Sequence, residues 1–256
     1  MLLVLLGLSA AEPAPAQAFR PAAGLYAAPD LDNLRDALTF HLSFDSATFT
    51  PDLAAGDRYA PTLHRAAGDS APEFAPGVSG QALVLGTGAG LFPSAGNLPL
   101  ERCGAVALWV KPLAWQRPNG GNSVFLMTAD SLFYLQRQGP QCAADGKVTR
   151  HEGVQYLAKS GREDRTYTCL MVSPWENGRW HLLVANWSWP QMQLSIDGGP
   201  FAVQALPARP AAGSFGSFIV GASGGDRGLL DEVMTFSRPL SLDEIGLLHA
   251  ALRPPP

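Results

Sequence analysis

The stretch "GLLDEVMTFSRPLSLDEIGLLHA", residues 228–250, decides how the chain is read, because it joins two periodicities across one short step. In "LLDEVMTF" a period of two places Leu230, Glu232, Met234 and Phe236 on one side of a strand and Asp231, Val233 and Thr235 on the other. A glycosidase-type acid/base pair needs two carboxylates on one side, roughly 5 to 9 Å apart. Adjacent strand positions are expected to fail that requirement. After "SRP" the pattern turns helical. Ser241 stands at an N-cap with Glu244 three residues on, a capping box, and Leu240 and Ile245 are placed as the hydrophobic staple around it. Asp243 and Glu244 lie where the helix dipole favours negative charge. Both Asp-Glu pairs are therefore read as parts of a chain ending, and no catalytic residue is assigned.

Working outward, period-2 segments bounded by Gly, Pro and Asn turns recur along the chain. "LTFHLSFD", residues 38–45, puts Leu38, Phe40, Leu42 and Phe44 on one face and Thr39, His41, Ser43 and Asp45 on the other. Others are "QALVLG", "AVALWVKP", "SVFLMTA", "LFYLQRQ", "GVQYLAK", "TCLMVS", "WHLLVANWS", "MQLSIDGG" and "GSFIVGA". Ten or so short strands with one convincing helix predict an all-β, two-sheet antiparallel sandwich. "WHLLVANW" is apolar on both faces, so it is expected to be a central strand covered on each side. With no repeat or second composition regime, one domain over residues 37–252 is the simplest account, followed by a tail at 253–256.

Composition narrows the function classes. The chain has 256 residues, 46% hydrophobic and 16% charged, which excludes global disorder and supplies a sizeable core. A net charge of −4 without a Lys/Arg stripe argues against a nucleic-acid partner. Residues 2–10, "LLVLLGLSA", are too short to span a bilayer, and Ala16-Gln17-Ala18 fits a cleavage site, so residues 1–18 read as a signal peptide. The absence of Lys or Arg before that run departs from the usual leader, so the true start can lie upstream. Residues 19–36 read as an Ala/Pro-rich linker. The expected location is secreted or periplasmic.

Outside the cytosol thiols oxidise, which bears on Cys103, Cys142 and Cys169. Their spacing lacks the close pairs of a zinc site. A Cys142–Cys169 disulfide, contributing roughly 3 kcal/mol, with Cys103 free and buried, is one reading; three reduced core cysteines is the other.

The motifs "LTFHLSFD", "GVSGQALVLG", "AVALWVKP", "RWHLLVANW", "MQLSIDGG" and the closing "GLLDEVMTFSRPLSLDEIGLLHA", in that order, resemble the laminin-G-like, concanavalin A-like jelly-roll domains of secreted bacterial proteins. The resemblance covers most of residues 38–250, and residues 112–179 follow it least. It implies two curved antiparallel sheets, often a calcium ion near a rim, and often a carbohydrate- or protein-binding role. For calcium it points to Asp45, after the first strand, and Asp231, on the last; either is otherwise a surface or hydrogen-bonded aspartate.

Some glycanases of this fold carry E-x-D-x-x-E on one strand, and no such string occurs here; nor does H-E-x-x-H. The expected role is a non-catalytic module recognising a polysaccharide or a glycoprotein glycan, with a structural or protein-interaction domain as the alternative and a hydrolase behind both. Candidate stacking platforms are Trp115, Trp175, Trp187 and Trp189, near strand ends or loops, weighed against ordinary packing. His181, beside Trp180, reads as a satisfied core histidine, and the Asn186-Trp187-Ser188 sequon as unused.

Overall fold

The computed structural model describes residues 31–57, 62–65, 71–113, 115, 122–138, 141–142, 148–150, 153–159, 177–206, 215–222 and 227–252. Numbered in chain order, the larger sheet runs β15 (Ala202–Ala205), β14 (Gln191–Ile196), β13 (His181–Ser188), β7 (Cys103–Pro112), β17 (Gly228–Phe236), β1 (Leu38–Leu42) and β2 (Leu53–Ala54). Beside β17 lies β5 (Gln81–Val84), which pairs in turn with β4 (Phe74–Pro76). The smaller sheet runs β12 (Gly153–Ala158), β9 (Phe133–Gln138), β8 (Ser123–Thr128), β16 (Ser217–Val220), β6 (Gly88–Pro93) and β3 (Thr62–Arg65). Every pairing in both is antiparallel. A separate ribbon joins β10 (Gln141–Cys142) to β11 (Val148–Arg150). The jelly-roll sandwich expected from the strand pattern is the observed architecture.

One core fills the space between the sheets. Phe40, Leu42, Leu108, Leu183, Trp187 and Leu230 of the larger sheet meet Phe92, Phe125, Phe133, Tyr156 and Phe218 of the smaller. The Phe40 ring bridges the layers edge-on, 5.0 Å from Phe92 and 5.2 Å from Phe218, an arrangement that adds to simple area burial.

A second apolar cluster covers the outer side of the larger sheet. Helix α2 (Leu242–Leu252) brings Ile245, Leu248 and Leu252, and helix α1 (Asp32–Ala37) brings Leu34 with the preceding Leu31, onto Ala105, Ala107, Trp109, Leu182, Val184, Met234 and Phe236. Strand β13 is consequently buried at every position except Ser188, as its two apolar faces predict. Helix α1 falls inside the stretch read as linker: Leu31 and Leu34 are each 1% exposed, so the packed domain takes in residues before 37.

The first strand breaks its expected phase. Register between β1 and β17 slips between Leu38 and Phe40, so Leu38 joins the helix side while Phe40 and Leu42 stay between the sheets. Asn186 is also fully used. Its Nδ2 donates to the Leu240 carbonyl at 2.8 Å and its Oδ1 accepts the Leu240 N–H at 3.1 Å, which fixes the approach to α2 and leaves the sequon's amide buried.

The capping box forms as read: the Glu244 N–H reaches Ser241 Oγ at 3.3 Å and the Ser241 N–H reaches Glu244 Oε2 at 2.9 Å. Arg238, from the step before the helix, also grips both Glu244 oxygens. That guanidinium, followed by the Ser241 bonds, outweighs partial burial and holds the Glu244 carboxyl down at about 2. Its contribution is therefore present above the ordinary glutamate value and is lost as pH falls from there towards 2. Ser241→Ala is expected to cost about 1 kcal/mol, read as a lower thermal midpoint; Glu244→Gln is expected to weaken the acid dependence of unfolding below about pH 4.5, and an unchanged acid limb would contradict the assignment.

Candidate functional site

The residues that bear charge inside the fold gather where the last strand meets the first. Strand β17 is buried at all nine positions, yet it carries Asp231 and Glu232. Its pairing with β7 slips between Asp231 and Met234, and Glu232 takes the left-handed φ of 48°. This is a β-bulge, which re-aims side chains by breaking the two-residue period. Leu230 and Val233, three apart, both enter the inter-sheet core.

The bulge corrects the expected split of the two carboxylates. Asp231 lies opposite Trp109 and His41 lies opposite Met234, and directly paired residues share a side of the sheet. Trp109 and Met234 belong to the outer cluster. Glu232 Oε2 meets His41 Nε2 at 2.5 Å, with both side chains fully buried. Both carboxylates therefore reach the outer side of the larger sheet.

Asp231 organises the turn before β5. Its Oδ2 accepts the N–H groups of Val78 and Ser79 at 2.7 and 3.4 Å, and its Oδ1 accepts that of Glu232 at 2.9 Å. Burial, followed by the neighbouring Glu232, raises the Asp231 carboxyl, against the pull of those donors. From the other side Asp45 accepts the Gln81 N–H at 3.4 Å. Burial and then Glu232 raise its carboxyl too. The turn fits only with glycines: a Cβ on Gly77 would lie 2.3 Å from Asp231 Oδ2, and one on Gly80, at φ +51°, would lie 2.1 Å from Asp45 Oδ1. Asp52 completes the group by accepting the Ser43 N–H at 2.8 Å.

Calcium is bound by six to eight oxygens that must be free to turn towards it. Here Asp231 spends both oxygens on backbone donors, and no group of three or more His, Cys, Asp or Glu side chains among the described residues is arranged to hold a metal ion. Asp45 and Asp231 clasp opposite sides of one turn and do not fit a calcium ion as they stand.

The candidate platforms also sort differently from their sequence positions. Trp115 is 2% exposed, stacked on Phe125 at 5.9 Å with the Arg137 guanidinium over its other side, and Trp187 is fully buried against Phe133. Neither can receive a sugar, because each fills the sandwich core. Trp189 is half-buried against that core and donates Nε1–H to the Leu100 carbonyl at 2.6 Å. Trp175 and Cys169 lie outside the described residues, as does the side chain of Cys142, so the disulfide expectation does too. Cys103 is a free, partly exposed thiol rather than a buried one. His181 is buried and its Nδ1 is tied to Asp197 Oδ2 at 2.8 Å.

A surface that sequence reasoning missed lies on the smaller sheet. Neither helix packs on its outer side. Register aligns Leu91 with Ile219, Ile219 with Met127, and Met127 with Tyr134, giving one half-buried row across four strands, about 14 Å long at ordinary strand spacing. Lys159 Nζ sits 6.0 Å over the Tyr134 ring. Next to the row, Gln136 donates to Gln155 through their side-chain amides. The signal is present in the outward phase of "LFYLQRQ", where Tyr134 is the aromatic residue.

Replacing Asp231 with Ala strips the acceptor from three backbone N–H groups, a loss of about 1–3 kcal/mol for each group left buried and unpaired. Urea denaturation should show a lower midpoint, with Asp231→Asn intermediate; equal midpoints for all three proteins would refute the turn-anchoring role.

Comparison with known proteins agrees with this architecture. The family model described as the concanavalin A-like lectin/glucanases superfamily matches residues 85–246. Among solved structures, domain 4 of AbnA, a GH43 extracellular arabinanase from Geobacillus stearothermophilus in complex with arabinotriose, superposes with a TM-score of 0.61 at 19% identity, covering 83% of this chain and 98% of that one. A structure of botulinum neurotoxin type C, whose cell entry is described as dependent upon interaction with two ganglioside molecules, gives 0.64 at 10% identity over 86% of this chain and 52% of the other. The binding domain of botulinum neurotoxin DC in complex with SialylT gives 0.64 at 9% identity, covering 86% and 52%. At these identities the likeness is one of fold. No match was found among curated proteins. The strand order, the double-faced larger sheet and the matched span together place the chain in the laminin-G-like family of the concanavalin A-like lectin/glucanases superfamily.

Proposed function

We propose that the protein is a non-catalytic glycan-binding module, exported from the cell, that meets its ligand on the outer side of the smaller sheet. The observation that carries this reading is the row Leu91, Ile219, Met127 and Tyr134, a partly exposed apolar strip with one aromatic ring on the sheet face that neither helix covers. An aromatic face offers the C–H side of a sugar an apolar contact, and a nearby ammonium can orient its hydroxyls. Lys159 stands beside Tyr134 in that role. The similar domains solved with arabinotriose and SialylT, and the dependence of botulinum neurotoxin type C cell entry on two ganglioside molecules, support the class of ligand. Export rests on the apolar leader at residues 2–10.

A hydrolytic role has less support. Asp231 and Glu232, although now on one side of the sheet, are 0% exposed, and substrate must touch a general acid or nucleophile directly. Their bonds to the backbone and to His41 account for them structurally.

A glycan array that includes arabino-oligosaccharides and sialylated glycans should find a ligand, and Tyr134→Ala should weaken its binding about tenfold, near 1.4 kcal/mol, with the thermal midpoint unchanged. Binding to no glycan would shift the assignment to a protein-interaction domain; hydrolysis abolished by one carboxylate substitution would overturn the non-catalytic reading.

A further inference from the structure

The carboxylates of Asp45, Asp52, Asp231 and Glu232 gather around the junction of β1 and β17, and among the described residues the cationic side chain that meets them is His41. Its imidazole is fully enclosed. A buried carboxylate without a counter-charge costs several kcal/mol, and Glu232 at 0% exposure has His41 within hydrogen-bond distance to offset that cost. Its Oε2 has His41 Nε2 at 2.5 Å, while its Oε1 is buried with no hydrogen-bond partner. The metal ion that the fold leads one to expect finds Asp231 already occupied by Val78, Ser79 and Glu232 N–H groups.

We propose that a protonated His41 is the resident cation of this acidic group, so that the first and last strands are held together by a buried imidazolium–carboxylate pair. Nε2–H donates to Glu232, and Asp52 and Asp45 add their fields from the segment that follows β1. Enclosure on its own drives the His41 proton off. The attraction and hydrogen bond of Glu232, with smaller help from Asp52 and then Asp45, outweigh it and raise the imidazole above its ordinary value. The sign follows from linkage. Stability from this pair is complete below about pH 6.5, the value in the unfolded chain, and is lost as pH climbs through the raised folded value.

The test uses the full chain. Thermal midpoints measured with added calcium and with chelator should coincide, and the midpoint should fall as pH rises from 6.5 to 9. His41→Gln should lower the midpoint and flatten that slope. Because the variant can fail to fold, nitrogen-15 chemical shifts of the wild-type His41 ring supply an independent reading, with both ring nitrogens protonated at pH 7. A midpoint raised several degrees by calcium, the shift expected of a saturating ligand, or a neutral His41 ring at pH 7, would overturn the proposal.

Discussion

A strand buried on both faces has no solvent in which to leave a charge, and β17 carries two carboxylates through the centre of the larger sheet. Everything at the junction of the termini answers that constraint. The bulge turns Asp231 and Glu232 to the outer side; Asp231 takes the amides of the turn before β5, and Glu232 takes His41 from the opposite end of the chain. Closing the sandwich and neutralising the last strand are thus one event. The acidic pair links the N-terminal strand, the glycine turn at 77–80 and the C-terminal strand in one register, because its hydrogen bonds form only when these three segments are aligned.

The fold was legible because the strands advertise themselves. Period-2 alternation in "AVALWVKP", "WHLLVANWS" and "MQLSIDGG" maps onto β7, β13 and β14, and the two-faced apolarity of β13 correctly implied cover on both sides. The capping box of α2 could be read residue by residue, since it depends only on local spacing. Phase errors arose where long-range pairing imposes an extra residue. Nothing local in "LLDEV" distinguishes a regular strand from a bulged one, and Leu38 changes sides only because β17 slips against β1. Helix α1 escaped for a related reason: six residues hold a helix by docking Leu34 on the sheet, a force that propensity does not record.

Site residues were harder to read. A tryptophan near a loop looks the same in sequence whether its ring points in or out, and Trp115 and Trp187 point in because each fills core volume that smaller side chains would leave empty. The surface row is invisible for the opposite reason. Leu91, Met127, Tyr134 and Ile219 are spread over more than a hundred residues and become neighbours through strand register alone.

The chain enters the described domain at Leu31 and leaves it at Leu252, and both residues lie in the cluster on the outer side of the larger sheet. Leu31 and Leu252 therefore both lie on the back of the sandwich, with the whole thickness of the core between them and the Tyr134 row. Tethered to a larger assembly, such a module would face outward like a hand held palm forward, and neighbours attached at the wrist would not shade the palm.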